Sequence, residues 1–246
     1  MSPYKRFLVI LSFVFLILLP CLFNKAYADP YLLDDFGLWT PIYIYIPISE
    51  KVKGNFEINP RIQQNATHIN QLLVRPSLGY QLTKDLSLWQ GYSWVTNYLP
   101  QFTREERLWQ QVLHEKKFSK FSLVNRFRLE ERFIQDVEGI SLRGRYLLKT
   151  LYPITKSKLL SLVLADELFV NLDAHHSGPQ VGIDQNRFFV GLNRKISDNV
   201  SIEGGYQMQY INSLTPNIDK LNHIVLVNLY VTLPQVIKNH KKNGTK

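Results

Sequence analysis

The chain has 246 residues, 29 Lys and Arg against 20 Asp and Glu for a net charge of +9, and a single cysteine. One thiol excludes an internal disulfide framework and the paired-cysteine patterns of redox and zinc sites. The basic excess does not by itself point to nucleic acid, because no stretch interleaves its arginines with a nucleic-acid motif.

Met1 to Arg6 is short and basic, an apolar run follows from Phe7 to Phe23, and Asn24-Lys25-Ala26-Tyr27-Ala28 places alanines at the two positions a signal peptidase reads. This pattern predicts a signal peptide over 1–28, cleaved after Ala28. Pro20 and the Ala26/Ala28 site argue against a retained anchor. Pro20 also sits where a lipoprotein box ahead of Cys21 wants a small residue. Cleavage removes Cys21 together with Lys5, Arg6 and Lys25, leaving 26 bases against 20 acids. The leader suits export through the periplasm of a Gram-negative bacterium. The end of the chain, 234–246, carries Lys238-Asn239-His240-Lys241-Lys242 and reads as a solvated basic tail.

Between the two lies alternation. In the run from Phe121 to Phe133, Phe121, Leu123, Phe127, Leu129 and Phe133 share one face, whereas Ser122, Arg126, Arg128, Glu130 and Arg132 share the other. Period two is the strand period, since successive Cβ atoms point to opposite sides. Strands are predicted at about 37–49, 54–64, 69–82, 86–97, 105–116, 121–134, 140–152, 158–171, 184–196, 200–212 and 221–233. Most exceed the roughly 5–6 residues of strands in soluble domains and reach the about 9–11 that a tilted strand needs to cross a bilayer. Short polar turns such as Thr83-Lys84-Asp85 and Ser197-Asp198-Asn199 alternate with longer loops near 98–104, 135–139, 172–183 and 213–220. That rhythm belongs to an outer-membrane barrel. Tyr80, Tyr92, Trp94, Tyr152 and Tyr210 fall towards strand ends, where aromatic girdles sit.

A soluble lipocalin-like binding barrel in the periplasm would show the same alternation with its faces reversed. Strand length and number favour the membrane, because so large a soluble barrel could not be filled by its apolar residues. The fold expected is all-β: an up-and-down antiparallel transmembrane barrel of 10–12 strands forming one domain over 29–233. Eleven candidates conflict with the even count of bacterial barrels. Pro41 and Pro47 make the first candidate suspect. It is expected either to lie in the lumen or plug an end, leaving ten strands with both termini in the periplasm, or to be joined by an unrecognised twelfth.

Several islands occur in a recognisable order: Gly37-Leu38-Trp39, Arg107-Leu108-Trp109-Gln110-Gln111, Arg126 to Phe133, Arg143-Gly144-Arg145-Tyr146, Asp166 to Asn171, and Gln185 to Leu192. In order and spacing the chain resembles the bacterial domain-of-unknown-function family 2490, over nearly all of the mature length. The resemblance implies a secreted, outer-membrane barrel. It supplies no activity, so no catalytic residue is carried over from it.

The chemistry on the charged face is a ladder: Arg75, Arg126, Arg128, Glu130, Arg132, Arg143, Arg145, Glu167, Arg187 and Glu203. It reads either as a cationic constriction favouring anions or as a cross-strand ion-pair network, with Glu130, Glu167 and Glu203, filling a narrow barrel. The second is favoured because about ten strands leave little free lumen. Asp173, His175, His176 and Ser177 suggest a hydrolase or a metal site. They sit in a loop, however, and lack the Asn that follows Ser in barrel lipases. Adjacent histidines on an extended chain also point apart. No metal, cofactor or catalytic set is expected, and the chain is not read as an enzyme. A lipid- or lipopolysaccharide-modifying barrel enzyme is the alternative. The expected partners are outer-membrane lipid and the insertion machinery, not nucleic acid.

Overall fold

The computed structural model describes residues 31–176, 178–212 and 218–237. The leader with Ala26 and Ala28, Ser177 and the tail from 238 onward lie outside the described residues. All regular structure described is β: β1 (Tyr31–Trp39), β2 (Ile42–Pro47), β3 (Val52–Gln63), β4 (His68–Gln81), β5 (Leu86–Asn97), β6 (Thr103–Lys117), β7 (Ser122–Ile134), β8 (Ser141–Pro153), β9 (Leu160–Asn171), β10 (Gly182–Lys195), β11 (Val200–Ile211) and β12 (Ile218–Thr232). Neighbours from β2 to β12 pair in chain order, and β12 pairs back onto β1 and β2, so the sheet closes into a barrel. Closure leaves no open edge, which protects strands as long as the 15 residues of β6 and β12 from adding further partners.

β1 and β2 occupy one strand position, interrupted at Thr40-Pro41. Pro41 has no N–H to give to a ladder. Its carbonyl still accepts from Leu229 N at 2.9 Å, and Thr40 N donates to Pro60 O at 3.2 Å, so the wall is continuous across the break. The barrel therefore has eleven strand positions. An odd number of hairpin-linked strands leaves the first and last running the same way. β12 accordingly pairs in parallel with β1, from Tyr31↔Ile218 to Trp39↔Leu226, and with β2, from Leu229↔Ile42 to Thr232↔Tyr45.

This corrects the expectation for 37–49, which is wall and neither plug nor lumen segment. It also corrects the placement of both ends on one side. β1 begins at the rim where β11 ends and which carries the connections 64–67, 98–102, 135–140 and 172–181 (the loop rim), while 213–217 of the expected loop near 213–220 lie outside the described residues. β12 finishes at the rim of 48–51, 82–85, 118–121, 154–159 and 196–199 (the turn rim). The asymmetry of length rests chiefly on 172–181, since 154–159 on the turn rim is as long as 135–140 opposite. At the loop rim the Asp35 carboxylate accepts from Gln64 N and Asn65 N, both at 3.0 Å, where the backbone turns through φ of 54° and 56°. At the turn rim Lys116 hydrogen-bonds Asp85 and holds its carboxyl below the usual range.

The alternating pattern sends apolar side chains outward. Leu78, Leu88, Phe127 and Leu192 are exposed on the outer face, while their neighbours Ser77, Trp89, Arg128 and Gly191 point in. Exposed Tyr80 and Tyr152 stand near the turn rim, and Trp94, Tyr98 and Phe102 near the loop rim. Two polar pairs lie on the outer face: Asn186 Nδ2 donates to Asp166 Oδ1 at 3.0 Å and Tyr146 Oη to Asn125 Oδ1 at 2.8 Å, whereas Gln90 and Gln110 face each other there, exposed. Two inward tryptophans lie flat on glycines of the preceding strand. A Cβ at Gly79 would stand 2.5 Å from the Trp89 ring, and one at Gly91 would stand 2.1 Å from Trp109.

The interior is not wholly polar. Trp39, Val163, Ala165, Phe189, Ile224 and Leu226 form a buried cluster with Leu147 and Leu151 against it. These residues hide in the continuous apolar runs Leu162-Val163-Leu164 and Phe188-Phe189-Val190, where alternation of type fails although alternation of direction persists.

Candidate functional site

β7 and β8 supply the centre of the lumen because each alternates a charged inward position with an outward one. Glu130, 1 % exposed, is the hub. It accepts from Arg143 Nη2 at 2.6 Å and Nε at 3.0 Å and from Arg145 Nη1 at 2.5 Å, with Arg128 Nη1 at 3.8 Å. Arg145 bridges onward to Glu167 at 2.6 Å, and Arg126 reaches the same carboxylate at 2.6 Å. Arg143 also holds Asp184 at 2.9 Å. Glu105 takes both Arg107 at 2.7 Å and Arg132 at 2.6 Å, and Arg75 pairs with Glu57 at 3.1 Å. Planar guanidinium forks suit this bridging, since one group can satisfy two carboxylates in fixed geometry.

Nine residues of the ladder, from Arg75 to Arg187, thus face one lumen and most of them bond each other. Glu203 faces the same lumen, at the cavity nearer the turn rim. Its partner is Lys149, at 2.7 Å, with Asn228 and Tyr230 also donating to it at 3.1 and 3.2 Å. Sequence reasoning missed Glu57, Arg61, Glu105, Arg107 and Asp184 as members of the network. Four of them were legible, since Glu57, Asn59 and Arg61, and likewise Glu105, Arg107 and Trp109, alternate in phase with their strands. Asp184 was not. A register shift between Ile183 and Gln185 turns it inward beside Gln185.

Three arginines lean on neutral partners. Arg128 takes Gln111 Oε1 at 2.7 Å and lies 3.9 Å from the Trp109 ring. Arg187 takes Gln185 Oε1 at 3.0 Å and stands 4.5 Å from Phe169 and 5.0 Å from Trp39. Arg61 donates to Gln71 Oε1 at 2.6 Å and lies 3.8 Å from Trp39. Aromatic faces attract such cations by their quadrupole.

The lumen is only partly filled. A cavity of about 370 Å³ opens towards the turn rim and one of about 230 Å³ towards the loop rim. Trp39, Arg61, Arg75, Arg145 and Arg187 line both and form the layer between them. Seven arginines but two carboxylates, Glu105 and Asp184, line the smaller cavity.

The histidine loop lies apart from this layer. Asp173 accepts from Leu142 N at 2.9 Å and stands 3.3 Å from His175 Nε2, whose Nδ1 contacts Glu138 O at 2.9 Å. Asp173 and His175 thus tie the 172–181 loop to the start of β8. Ser177 lies outside the described residues. Among the described residues no group of three or more His, Cys, Asp or Glu could hold a metal ion.

A closed barrel with apolar residues outside and a charged, partitioned lumen defines the structural class. The chain belongs to the family described as Protein of unknown function (DUF2490), which matches residues 36–220. It is similar to an uncharacterised protein of Methylorubrum extorquens, 29 % identical over 211 residues, covering 84 % of this chain and 91 % of the relative. No solved structure matches.

Proposed function

We propose that this protein is an integral outer-membrane β-barrel whose lumen is a narrow, anion-favouring path without enzymatic activity. The observation that carries the reading is the inversion of its faces: exposed leucines, valines and aromatics outside, and a surplus of arginine inside. A soluble barrel needs the reverse. Lipid can cover the outer band at any circumference, whereas water would leave so large an apolar surface exposed.

Within the lumen the carboxylates neutralise most but not all of the guanidinium groups, so a hydrated path through the Trp39 layer carries positive potential. Purified protein in planar bilayers should give a small conductance that prefers chloride to potassium, with a preference that weakens in high salt. Arg128→Gln and Arg143→Gln should lower that preference without preventing insertion. A wide unselective conductance, or a cation preference, would overturn the reading.

A further inference from the structure

We infer that the smaller lumen cavity is a binding site for a doubly charged oxyanion of the phosphate class, bridged between Arg61 and Arg187 beside Trp39. The inference rests on the proposed path for the ligand's way in. The geometry of the site stands without it.

The first ground is charge that the protein itself leaves without a contacting carboxylate. Five of the seven arginines around the cavity have a carboxylate within ion-pair distance. Arg61 and Arg187 have none among the described residues. Each is held by a glutamine carbonyl, a dipole that orients a guanidinium without neutralising it. Glu167 attracts Arg187 from the facing position on the neighbouring strand and Glu57 attracts Arg61, both without ion-pair contact, and buried cations so incompletely answered are stabilised when an anion joins them. The second ground is unused hydrogen-bonding capacity. The Arg61 side chain is buried at 8 % exposure, and its Nε has no partner.

The third ground is spacing. Both guanidinium carbons approach the same Trp39 ring, at 3.8 and 5.0 Å, so they are at most about 9 Å apart. Two forks within that bound can reach one tetrahedral oxyanion from two sides, each presenting a pair of N–H groups. A halide offers no such two-point match, and a monocarboxylate, although it can bridge two arginines as Glu130 does, brings one charge to two cations where a doubly charged oxyanion brings two. The cavity, about 230 Å³, has room for a small oxyanion and several waters at the liquid share of about 30 Å³ each. Gln63 and Asn70 line its approach from the loop rim.

The test is equilibrium dialysis of the detergent-purified full chain against labelled inorganic phosphate, with sulfate, acetate and chloride as competitors. Saturable binding is expected, displaced by sulfate and not by equimolar acetate or chloride. Arg61→Gln and Arg187→Gln should each weaken it roughly tenfold or more, the size of one charged hydrogen bond. Arg194→Gln, on the exposed outer side near the turn rim, should leave it unchanged. Both lumen variants remove a cation that makes no ion-pair contact with a carboxylate, and Glu167 keeps Arg145 and Arg126, so they should still fold. Arg61→Lys and Arg187→Lys keep the charge and lose the fork, and should fall between. Absence of saturable phosphate binding in the wild type overturns the site, as does wild-type affinity in both Gln variants. Should neither variant fold, displacement of phosphate by acetate as readily as by sulfate overturns it. Phosphate binding without conductance would retain this site and remove the path; conductance without saturable binding would do the opposite.

Discussion

Replacing Glu130 by Gln measures how far the central network depends on one buried charge. The amide keeps the shape and one acceptor oxygen. It removes the charge, and it turns the other oxygen into a donor that faces guanidinium donors. Removing one partner of a buried ion pair costs about 3–5 kcal/mol when the other charge is left uncompensated. Here Arg143 keeps Asp184 at 2.9 Å and Arg145 keeps Glu167 at 2.6 Å, while Arg128 falls back on Gln111. The expected loss is therefore at the lower end, about 3 kcal/mol. Arg61→Gln is the matched comparison, because it deletes a cation without a carboxylate partner, and it should stay within about 1 kcal/mol of the wild type. The assay is urea unfolding in lipid vesicles read by tryptophan fluorescence, comparing midpoints at a common slope. A Glu130→Gln midpoint equal to that of the wild type would refute the reasoning. It would mean that lumen water screens the arginines and that the network is not a low-dielectric structure.

On the outer face, Leu164→Arg in the middle of β9 should cost about 2–4 kcal/mol in vesicles and Leu160→Arg near the turn rim about 0–1, the depth dependence of a lipid surround. Equal tolerance at both positions would remove the membrane reading. Gly91→Ala forces Trp109 off the strand beneath it, so it should destabilise by about 1–3 kcal/mol and red-shift the fluorescence. An unchanged spectrum and midpoint would show that Trp109 does not lie on Gly91. An epitope inserted ahead of Tyr31 and another after Leu233 should be labelled from opposite sides of the membrane in intact cells and spheroplasts. Labelling from one side would contradict the parallel β1–β12 closure.

Strand positions were legible from residue order alone because direction alternates along every extended chain. Leu86–Asn97 and Ser122–Ile134 fall within a residue of where alternation puts them. The charged ladder was legible for the same reason, since residues two apart share a face. Which face is the interior was not legible from periodicity, because period two is identical for a barrel and its inverse; strand length and number had to choose between them. Nor was the way the barrel closes. Pro41 breaks a strand locally, and only the pairing of β12 with both β1 and β2 makes that broken segment part of the wall and the strand count odd. Partner choice belongs to the tertiary structure as well. Glu203 takes Lys149 instead of an arginine, and Asp184 turns inward at a bulge. Arg61 and Arg187 are left facing Trp39, because register between strands distant in sequence decides which charges meet. Local periodicity is a property of the backbone and can be read from neighbours in the chain. Closure and pairing depend on contacts up to about two hundred residues apart, such as Trp39 with Arg187 and with Leu226, which no local pattern encodes.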